Sequence, residues 1–534
     1  MTRATTATPR RSRRLAQLAG LVSAGVALGV GELVSGLGHQ GQSLVGSVGG
    51  EVIDLSPGPL VRTGIDEFGT GDKTVLLTTI VVLCLVLGAA VGSAARRRPW
   101  IGPVSFSAAA LLGVLAGLRD PLASKGVTVL AGIAAAVAGS VVLAYLLRYL
   151  PADPRAEEAA GPAATVPGRG TGDRRTFLTL AGTAGAAGVL AAVAGRALSE
   201  RSRSGTSSQD IVLPEPTATL PGTPSSTIPP SQLAEAGLPI DDLTPLITPN
   251  GDFYRIDTAL VVPRPGVDGW RLRINGEVDA PFDLTYDDLL ALPQVEVPVT
   301  LSCVSNNVGG PLVGNAVWQG VSLPDLLERA QVRPTGEQIV GRSLDGFTAG
   351  FPTSAALDGR VAIVAVGMNG EPLPPNHGFP ARLVVEGLYG YVSATKWLSS
   401  IELHGWDFEG YWVPLGWSQQ GPIKTASRID VPRSKDTLHA GPVPVAGVAW
   451  APDRGISKVE VQVDDGPWEQ AELGVALSDA TWRQWVWTWE AEPGDHTLRV
   501  RATDGTGETQ TSDSAPPEPD GATGWHSRKV NVKS

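Results

Sequence analysis

The run Val297-Pro298-Val299-Thr300-Leu301-Ser302-Cys303-Val304-Ser305-Asn306-Asn307-Val308-Gly309-Gly310 decides how this chain is read. Its first part is rich in β-branched residues, as a strand is, and its second part is a polar loop closed by glycines. Cys303 stands at the junction. A buried free cysteine is the plain reading of such a residue, yet a strand-to-loop edge is also where reactive groups are displayed. A thiol enzyme needs a nearby base, and His377 and His404 are the candidates, with no motif linking them to Cys303. One cysteine and scattered histidines do not make a tetrahedral zinc set. A single soft thiolate can instead complete a site whose other ligands come from a cofactor.

Working outward, the chain has two cysteines, and the other, Cys84, lies in an apolar run over residues 74–95. It reads there as a small apolar residue, and a disulfide scaffold is excluded. Of 14 tryptophans only Trp100 precedes residue 250, and the first two hundred residues are mostly Ala, Gly, Leu and Val. Charged residues make up 18% of the 534, below the roughly 25% of soluble domains. That average joins a membrane composition to a globular one. The length allows three or four domains, and the hydrophobicity excludes disorder for the bulk of the chain. A net charge of −11 argues against a nucleic-acid partner, which needs a basic surface.

Apolar stretches fall at residues 15–37, 74–95, 103–118, 126–147 and 177–194. About 20 apolar residues cross a hydrocarbon core of about 30 Å; the third stretch is short and can begin nearer Trp100. Arg10, Arg11, Arg13 and Arg14 precede the first stretch, and Arg96, Arg97 and Arg98 follow the second. Arg148, Arg155, Arg169, Arg174 and Arg175 separate the fourth from the fifth. The positive-inside rule then predicts a multi-pass cell-membrane protein with everything after about residue 196 on the extracytoplasmic side. Asp173-Arg174-Arg175-Thr176-Phe177-Leu178 either anchors the fifth helix or resembles a twin-arginine export signal. Glu32 is costly in lipid, with snorkelling to the interface the simpler account. No histidine lies in the stretches, so a bis-histidine haem has no ligands there.

Residues 199–233 are rich in Ser, Thr, Pro and Gly and read as a tether. Beyond them, Trp270–Ile274 and Val295–Leu301 read as strands, and Leu284–Leu290 and Leu323–Leu327 as short capped helices. Near the C-terminus Val459, Val461 and Val463 alternate with polar residues, as do Trp485, Trp487 and Trp489, and Leu498, Val500 and Ala502. Regular short strands with turn signals predict an immunoglobulin-like sandwich with structural or interface duty. Between these parts, Met368-Asn369-Gly370-Glu371-Pro372-Leu373-Pro374-Pro375-Asn376-His377-Gly378-Phe379-Pro380 leads to Arg382. Gly387-Leu388-Tyr389-Gly390-Tyr391 and then Lys396-Trp397-Leu398 follow. His377, Arg382 and Lys396 suit a phosphate; a solvated surface is the alternative.

Ser302-Cys303 in its loop, Trp318-Gln319-Gly320-Val321-Ser322-Leu323, Met368–Pro380 with Arg382, Lys396-Trp397-Leu398 and Thr248–Asp257 together resemble the sulfite oxidase family of molybdopterin enzymes. The likeness spans roughly residues 245–430, and the trailing sandwich resembles that family's dimerisation domain. Composition and the resemblance together predict a multidomain chain: from composition an N-terminal α-helical transmembrane region over 1–198 and the tether over 199–233, and from the resemblance an α+β sulfite-oxidase-type molybdopterin domain over 234–431 and an all-β immunoglobulin-like sandwich over 432–534. It implies molybdenum-molybdopterin as cofactor, with the metal held by a pterin dithiolene and the Cys303 thiolate. His377, Arg382 and Lys396 match positions that hold the pterin and its phosphate. Tyr254, Arg255, Asp257, Asn306 and Asp345 fall where the family contacts cofactor or substrate, Arg255 as a catalytic residue beside Cys303.

The implied reaction is oxygen-atom transfer to or from a small sulfur compound, sulfite or another S- or N-oxide, with a separate cytochrome or quinone as electron partner and a homodimer as assembly. One departure bears on substrate. Asn307-Val308 stand where eukaryotic-type members carry two arginines, one of which helps hold sulfite. A reductase of S- or N-oxides is the in-class variant, and a non-catalytic, transport-linked membrane protein the reading from another class.

Overall fold

The computed structural model describes residues 9–38, 43–57, 60, 63–64, 67–68, 71–150, 174–202, 211–220, 233, 236–434 and 436–534. Arg155, Arg169, Asp173 and residues 221–226 of the expected tether lie outside them. The chain divides into two compact units, Met1–Gly205 with Ala259–Arg264, and Thr206–Thr258 with Pro265–Ser534.

The first unit is helical. Its described elements are α1 (Pro9–Ser35), α2 (Leu44–Asp54), α3 (Asp72–Ala95), α4 (Ile101–Arg119), α5 (Lys125–Arg148) and α6 (Arg174–Ser202). All except α2 are long and apolar enough to cross a membrane by length and composition. The third apolar stretch does start next to Trp100, as its composition allowed. Ala16 and Ala19 of α1 are fully buried, whereas Leu111, Leu112, Leu130, Leu190 and Val193 on the other helices are exposed. Phe106, Leu143, Leu146 and Phe177 join these alanines inside, but many large apolar side chains face outward, which a water-soluble bundle avoids. Helix α2 was not expected. Ser43 caps it by accepting from Gly46 N at 3.1 Å, and Ser47 and Glu51 reach Asp120 and Arg119 at 3.2 and 2.9 Å.

The second unit is built on sheets. One sheet runs β2 (Phe282–Thr285), β1 (Arg271–Gly276), β10 (Leu398–His404), β5 (Gln338–Ser343), β6 (Thr348–Pro352), with only β1 and β10 parallel. Another runs β3 (Gln294–Ser302), β4 (Val313–Ser322), β7 (Ala362–Met368), β8 (Glu371–Pro372), with β9 (Arg382–Val385) also on β7 and every pair antiparallel. β4 and β7 are buried along their whole length, so they lack the alternation of a half-exposed strand. Two expected short helices are present. α7 (Tyr286–Ala291) starts at a capping box in which Thr285 Oγ1 accepts from Asp288 N and Asp288 accepts from Thr285 N. α8 (Leu323–Ala330) is capped by Ser322 and buries Leu323, Leu326 and Leu327.

Residues 211–220 depart from the expected unpacked tether. Thr217 and Ala218 donate to Gln294 O, both at 2.9 Å, Gln319 Nε2 donates to Pro214 O at 2.6 Å, and Leu220 is buried. Ile211, Leu213 and Leu220 supply the apolar surface that a Pro- and Thr-rich composition conceals.

Two C-terminal sheets share one core. The first runs β11 (Ala426–Val431), β13 (Gly441–Trp450), β17 (Arg483–Ala491), β16 (Glu472–Leu473). The second runs β12 (Thr437–His439), β19 (His526–Lys533), β18 (Gly494–Asp504), β14 (Ile456–Val463), β15 (Trp468–Gln470). Val459, Val461, Trp485, Leu498, Val500 and Ala502 are among the fully buried residues between them, on the alternating positions read from the sequence. A second apolar cluster joins Val304, Val313 and Val317 to Val448, Trp450 and Trp482. The segment that carries Cys303 therefore rests on the C-terminal sheets.

Candidate functional site

Strand ends converge on one cleft. Cys303 follows β3, Asp345 lies in the β5–β6 turn, Arg382 opens β9 and Lys396 precedes β10. His377 ends a single 3₁₀ turn, Pro375–His377, and Tyr254 and Asp257 arrive on the irregular segment before β1. Tyr254, Asp257, Cys303, Asp345, His377, Arg382 and Lys396 all line this cleft. Residues up to 142 positions apart in sequence, from Tyr254 to Lys396, thus share one site.

Local chemistry explains the arrangement. Asn369 Oδ1 accepts from Val317 N at 2.9 Å while its Nδ2 donates to Thr248 O and Asn250 Oδ1. The entry segment is thereby clipped to β4 and the turn after β7. Phe253 then stacks on Tyr254 and meets Trp318 and His377 edge-on, with centroids 5.2, 5.7 and 5.6 Å apart. Gly378, at φ +112°, lets two cationic residues come together. A Cβ there would lie 3.1 Å from both Arg382 Cβ and Lys396 Cα.

The electrostatics are those of an anion site. Arg382 is 5% exposed. Its guanidinium stacks on Trp318 at 4.8 Å and donates to the carbonyls of His377 at 3.1 Å and Leu383 at 3.4 Å. Among the described residues no carboxylate pairs with it. Burial brings its pKa down to about 10, which leaves it charged at neutral pH, and a buried unpaired charge is costly. Lys396 Nζ donates to Asp257 Oδ2 at 2.7 Å; burial lowers its pKa to about 8 despite that partner. His377 Nε2 lies 2.8 Å from Asn250 O, so this nitrogen carries the proton and Nδ1 the lone pair. Burial, with the neighbouring cations adding to it, brings its pKa to about 4. Burial also raises Cys303, Tyr254 and Asp345.

Two further expected site residues, Asn306 and Arg255, stand behind the lining. Asn306 Oδ1 accepts from Leu312 N at 2.9 Å, and Cys303 N donates to Leu312 O at 2.9 Å, so Asn306 braces the Cys303 loop. It does not line the cleft. Arg255 is also absent from the lining; it grips Asp257 through Nε and Nη2 at 2.8 and 3.4 Å. Conversely, Phe347, Tyr391 and Trp412 line the cleft without having been singled out. Tyr391 ends the run Gly387–Tyr391, but nothing in the sequence says which rings of an aromatic-rich segment face a site and which face a core.

The donor set fits a molybdenum-pterin group. Cys303 offers one soft thiolate, and the unpaired Arg382 with Lys396 offers positive charge to a pterin phosphate. Among the described residues no three His, Cys, Asp or Glu side chains group as a metal site, so the remaining ligands have to come with the cofactor.

Such a site defines a molybdopterin-binding oxidoreductase domain, and the model of the "Oxidoreductase molybdopterin binding domain" family matches residues 259–412. That match contains Cys303, Asn306, Asp345, His377, Arg382 and Lys396. Mitochondrial sulfite oxidase of Rattus norvegicus is 31% identical over 272 residues, 42% of this chain and 49% of the relative. An uncharacterized oxidoreductase of Bacillus subtilis, YuiH, is 32% identical over 197 residues, 37% of this chain and 89% of the relative. The sulfane dehydrogenase SoxCD structure from Paracoccus pantotrophus aligns with a TM-score of 0.48 and 22% identity, covering 60% of this chain and 91% of that one. The chain belongs to the sulfite oxidase family of molybdenum-dependent oxidoreductases, and its cofactor is molybdenum-molybdopterin. It spans about half the length of the mammalian sulfite oxidases it matches.

Proposed function

We propose that the protein is a membrane-anchored oxidoreductase that transfers an oxygen atom to or from a small sulfur compound, with its site on the extracytoplasmic side. The observation that carries this reading is the unpaired, buried Arg382 in the same cleft as Cys303. A cation without a carboxylate and a thiol without a disulfide are both completed by one anionic metal cofactor.

Cys303 is the protein's ligand to the metal. Burial keeps the free thiol protonated, so loading releases its proton. Arg382, Lys396 and His377 hold the pterin and its phosphate, His377 donating from Nε2 to Asn250 O and so presenting a neutral ring. Asp257 fixes Lys396 and Arg255, Tyr254 closes the wall beside Cys303, and Asp345 lies at the turn facing Lys396. The molybdenum group supplies two-electron redox chemistry at an oxygen-accepting or oxygen-donating centre. This chain's residues bind it, orient it and exclude water from around it.

Five apolar helices and the arginines flanking them support a multi-pass anchor with the N-terminus inside. Two C-terminal sheets around one core support an immunoglobulin-like sandwich of the dimerising kind. The electron partner is a separate one-electron carrier, a cytochrome or a membrane quinone. Metal analysis of the purified full chain tests the core of the reading. About one molybdenum per chain, lost in Cys303→Ser, supports it; molybdenum-free protein from a host that makes the cofactor overturns it.

A further inference from the structure

The helical unit includes a segment from far along the chain, Ala259–Arg264. Lys73, in the first turn of α3, donates from Nζ to Ala259 O at 2.6 Å. Leu260 and Val261 come against α2, where Gly46 and Gly49 are buried. A Cβ on Gly49 would lie 2.9 Å from Leu260 Cδ1 and 3.2 Å from Leu77 Cδ2, and one on Gly46 would lie 3.8 Å from Val261 Cγ2. Glycine weakens a helix, and at Gly49 it leaves room for Leu260. Ser47 and Glu51 fix α2 in turn on Asp120 and Arg119.

The residues just before this segment are cleft wall. Tyr254, Ile256, Asp257 and Thr258 line the cleft and belong to no helix or strand, so no ladder fixes them and the ends of the stretch matter. Asn369 clips the upstream end by donating to Asn250 Oδ1 at 2.8 Å. The downstream end, Thr258, is one peptide bond from Ala259. Between the ends Asp257, its side chain 4% exposed, holds Lys396 at 2.7 Å and Arg255 at 2.8 Å. Bonds of that length tolerate little displacement.

We propose that Lys73, Gly46 and Gly49 are positioning residues for the cofactor site: by holding Ala259–Val261 they hold Asp257, and through it Lys396. The helical unit then has a part in assembling the site besides anchoring it. The consequence for cofactor retention rests on the proposed role of Lys396 toward the pterin phosphate; the positioning itself does not.

The test is amine acetylation of the full chain in detergent. Lys396 is read by mass spectrometry against Lys529, which is exposed on β19. Only a neutral amine reacts. Freed from Asp257, Lys396 loses the partner that favours its charged form, and its buried side chain opens to the reagent. Lys73→Met and Gly49→Val should each raise the Lys396-to-Lys529 ratio at pH 7 by at least about threefold. Leu112→Ala, on an exposed side of α4, should leave it unchanged. In an Asp257→Asn background Lys73→Met should add less than about twofold, since the link it acts through is already cut. Molybdenum retention should fall in Lys73→Met and Gly49→Val. An unchanged ratio in Lys73→Met overturns the inference, as does an equal rise in Leu112→Ala or full additivity on Asp257→Asn. Should Gly49→Val fail to fold, Lys73→Met, which keeps most of the side-chain stem, decides. A raised ratio with molybdenum retention unchanged upholds the positioning and overturns the placing of the cofactor phosphate on Lys396.

Discussion

Thr300 Oγ1 accepts a hydrogen bond of 2.7 Å from the backbone N–H of Trp482, which ties the strand leading to Cys303 to the C-terminal sheets. The same hydroxyl donates to Asn315 Oδ1 at 3.1 Å, and Thr300 N donates to Ala480 O at 2.9 Å. Trp482 Nε1 in turn donates to Leu246 O at 2.8 Å. From further along, Arg428 of β11 donates to Gly310 O at 2.8 Å, inside the Cys303 loop. The C-terminal sheets are thus part of the scaffold of the site.

Removing the fully buried indole tests that dependence. Trp482→Ala should cost about 3–5 kcal/mol in denaturant unfolding of the full chain, and reduce molybdenum content with it. Loss of stability with normal loading would separate the sheets from the site.

Gly309 adopts φ +75°, and a Cβ there would lie 2.2 Å from His526 Cδ2. Gly309→Ala therefore strains the backbone and pushes on the ring that accepts from Ile429 N. The expected result is a destabilisation of about 1 kcal/mol or more in denaturant titration, and poorer cofactor retention because the Cys303 loop moves.

Arg382→Met separates binding from folding. Without cofactor the substitution removes a buried cation that has no carboxylate partner among the described residues, so stability of the cofactor-free protein should be unchanged or higher. Cofactor content, measured by metal analysis and pterin fluorescence, should fall by at least about tenfold, since a charge-assisted contact is lost. Arg382→Lys should recover only part of it.

Lys396 makes anion binding and stability respond oppositely to alkali. Its pKa in the folded chain is about 8 against an ordinary 10.5. Between those values the unfolded chain holds a proton that the folded chain has released, so this residue's contribution to stability rises with pH. Retention of the cofactor phosphate should weaken over the same range as the ammonium charge is lost, and Lys396→Arg should abolish that pH dependence. On the acid side His377 and His526, both near 4 when folded against 6.5, should cost stability as pH falls from 6.5 towards 4, because the unfolded chain takes up their protons first. Equilibrium unfolding at stepped pH reads both limbs.

Much of the site was legible because its chemistry is rare in sequence. Cys303 is the only thiol outside the apolar half, and His377, Arg382 and Lys396 place three cationic or hydrogen-bonding groups close together in sequence, as a phosphate site does. Phe347 and Trp412 were not legible as cleft residues, since they carry the same pattern as a packed core until the cleft is seen. Asn306 and Arg255 show the converse. A side chain near the chemistry in sequence can be spent on a loop amide or a carboxylate, and only distances reveal it. In the fold, β4 and β7 were hard to separate from helix by periodicity because they are buried throughout. Helix α2 escaped notice because Gly46, Gly49 and Gly50 weaken its helical signal, and residues 211–220 because Pro214, Pro216, Thr217 and Thr219 sit in a Ser-, Thr- and Pro-rich stretch.

X-ray absorption at molybdenum tests the central claim most directly, because it counts the sulfur atoms around the metal in the intact protein. Wild type should show one more sulfur neighbour than Cys303→Ser, the two samples being loaded with the same pterin group. Equal sulfur counts in both, with molybdenum present in each, would contradict the assignment of Cys303 as the metal's protein ligand.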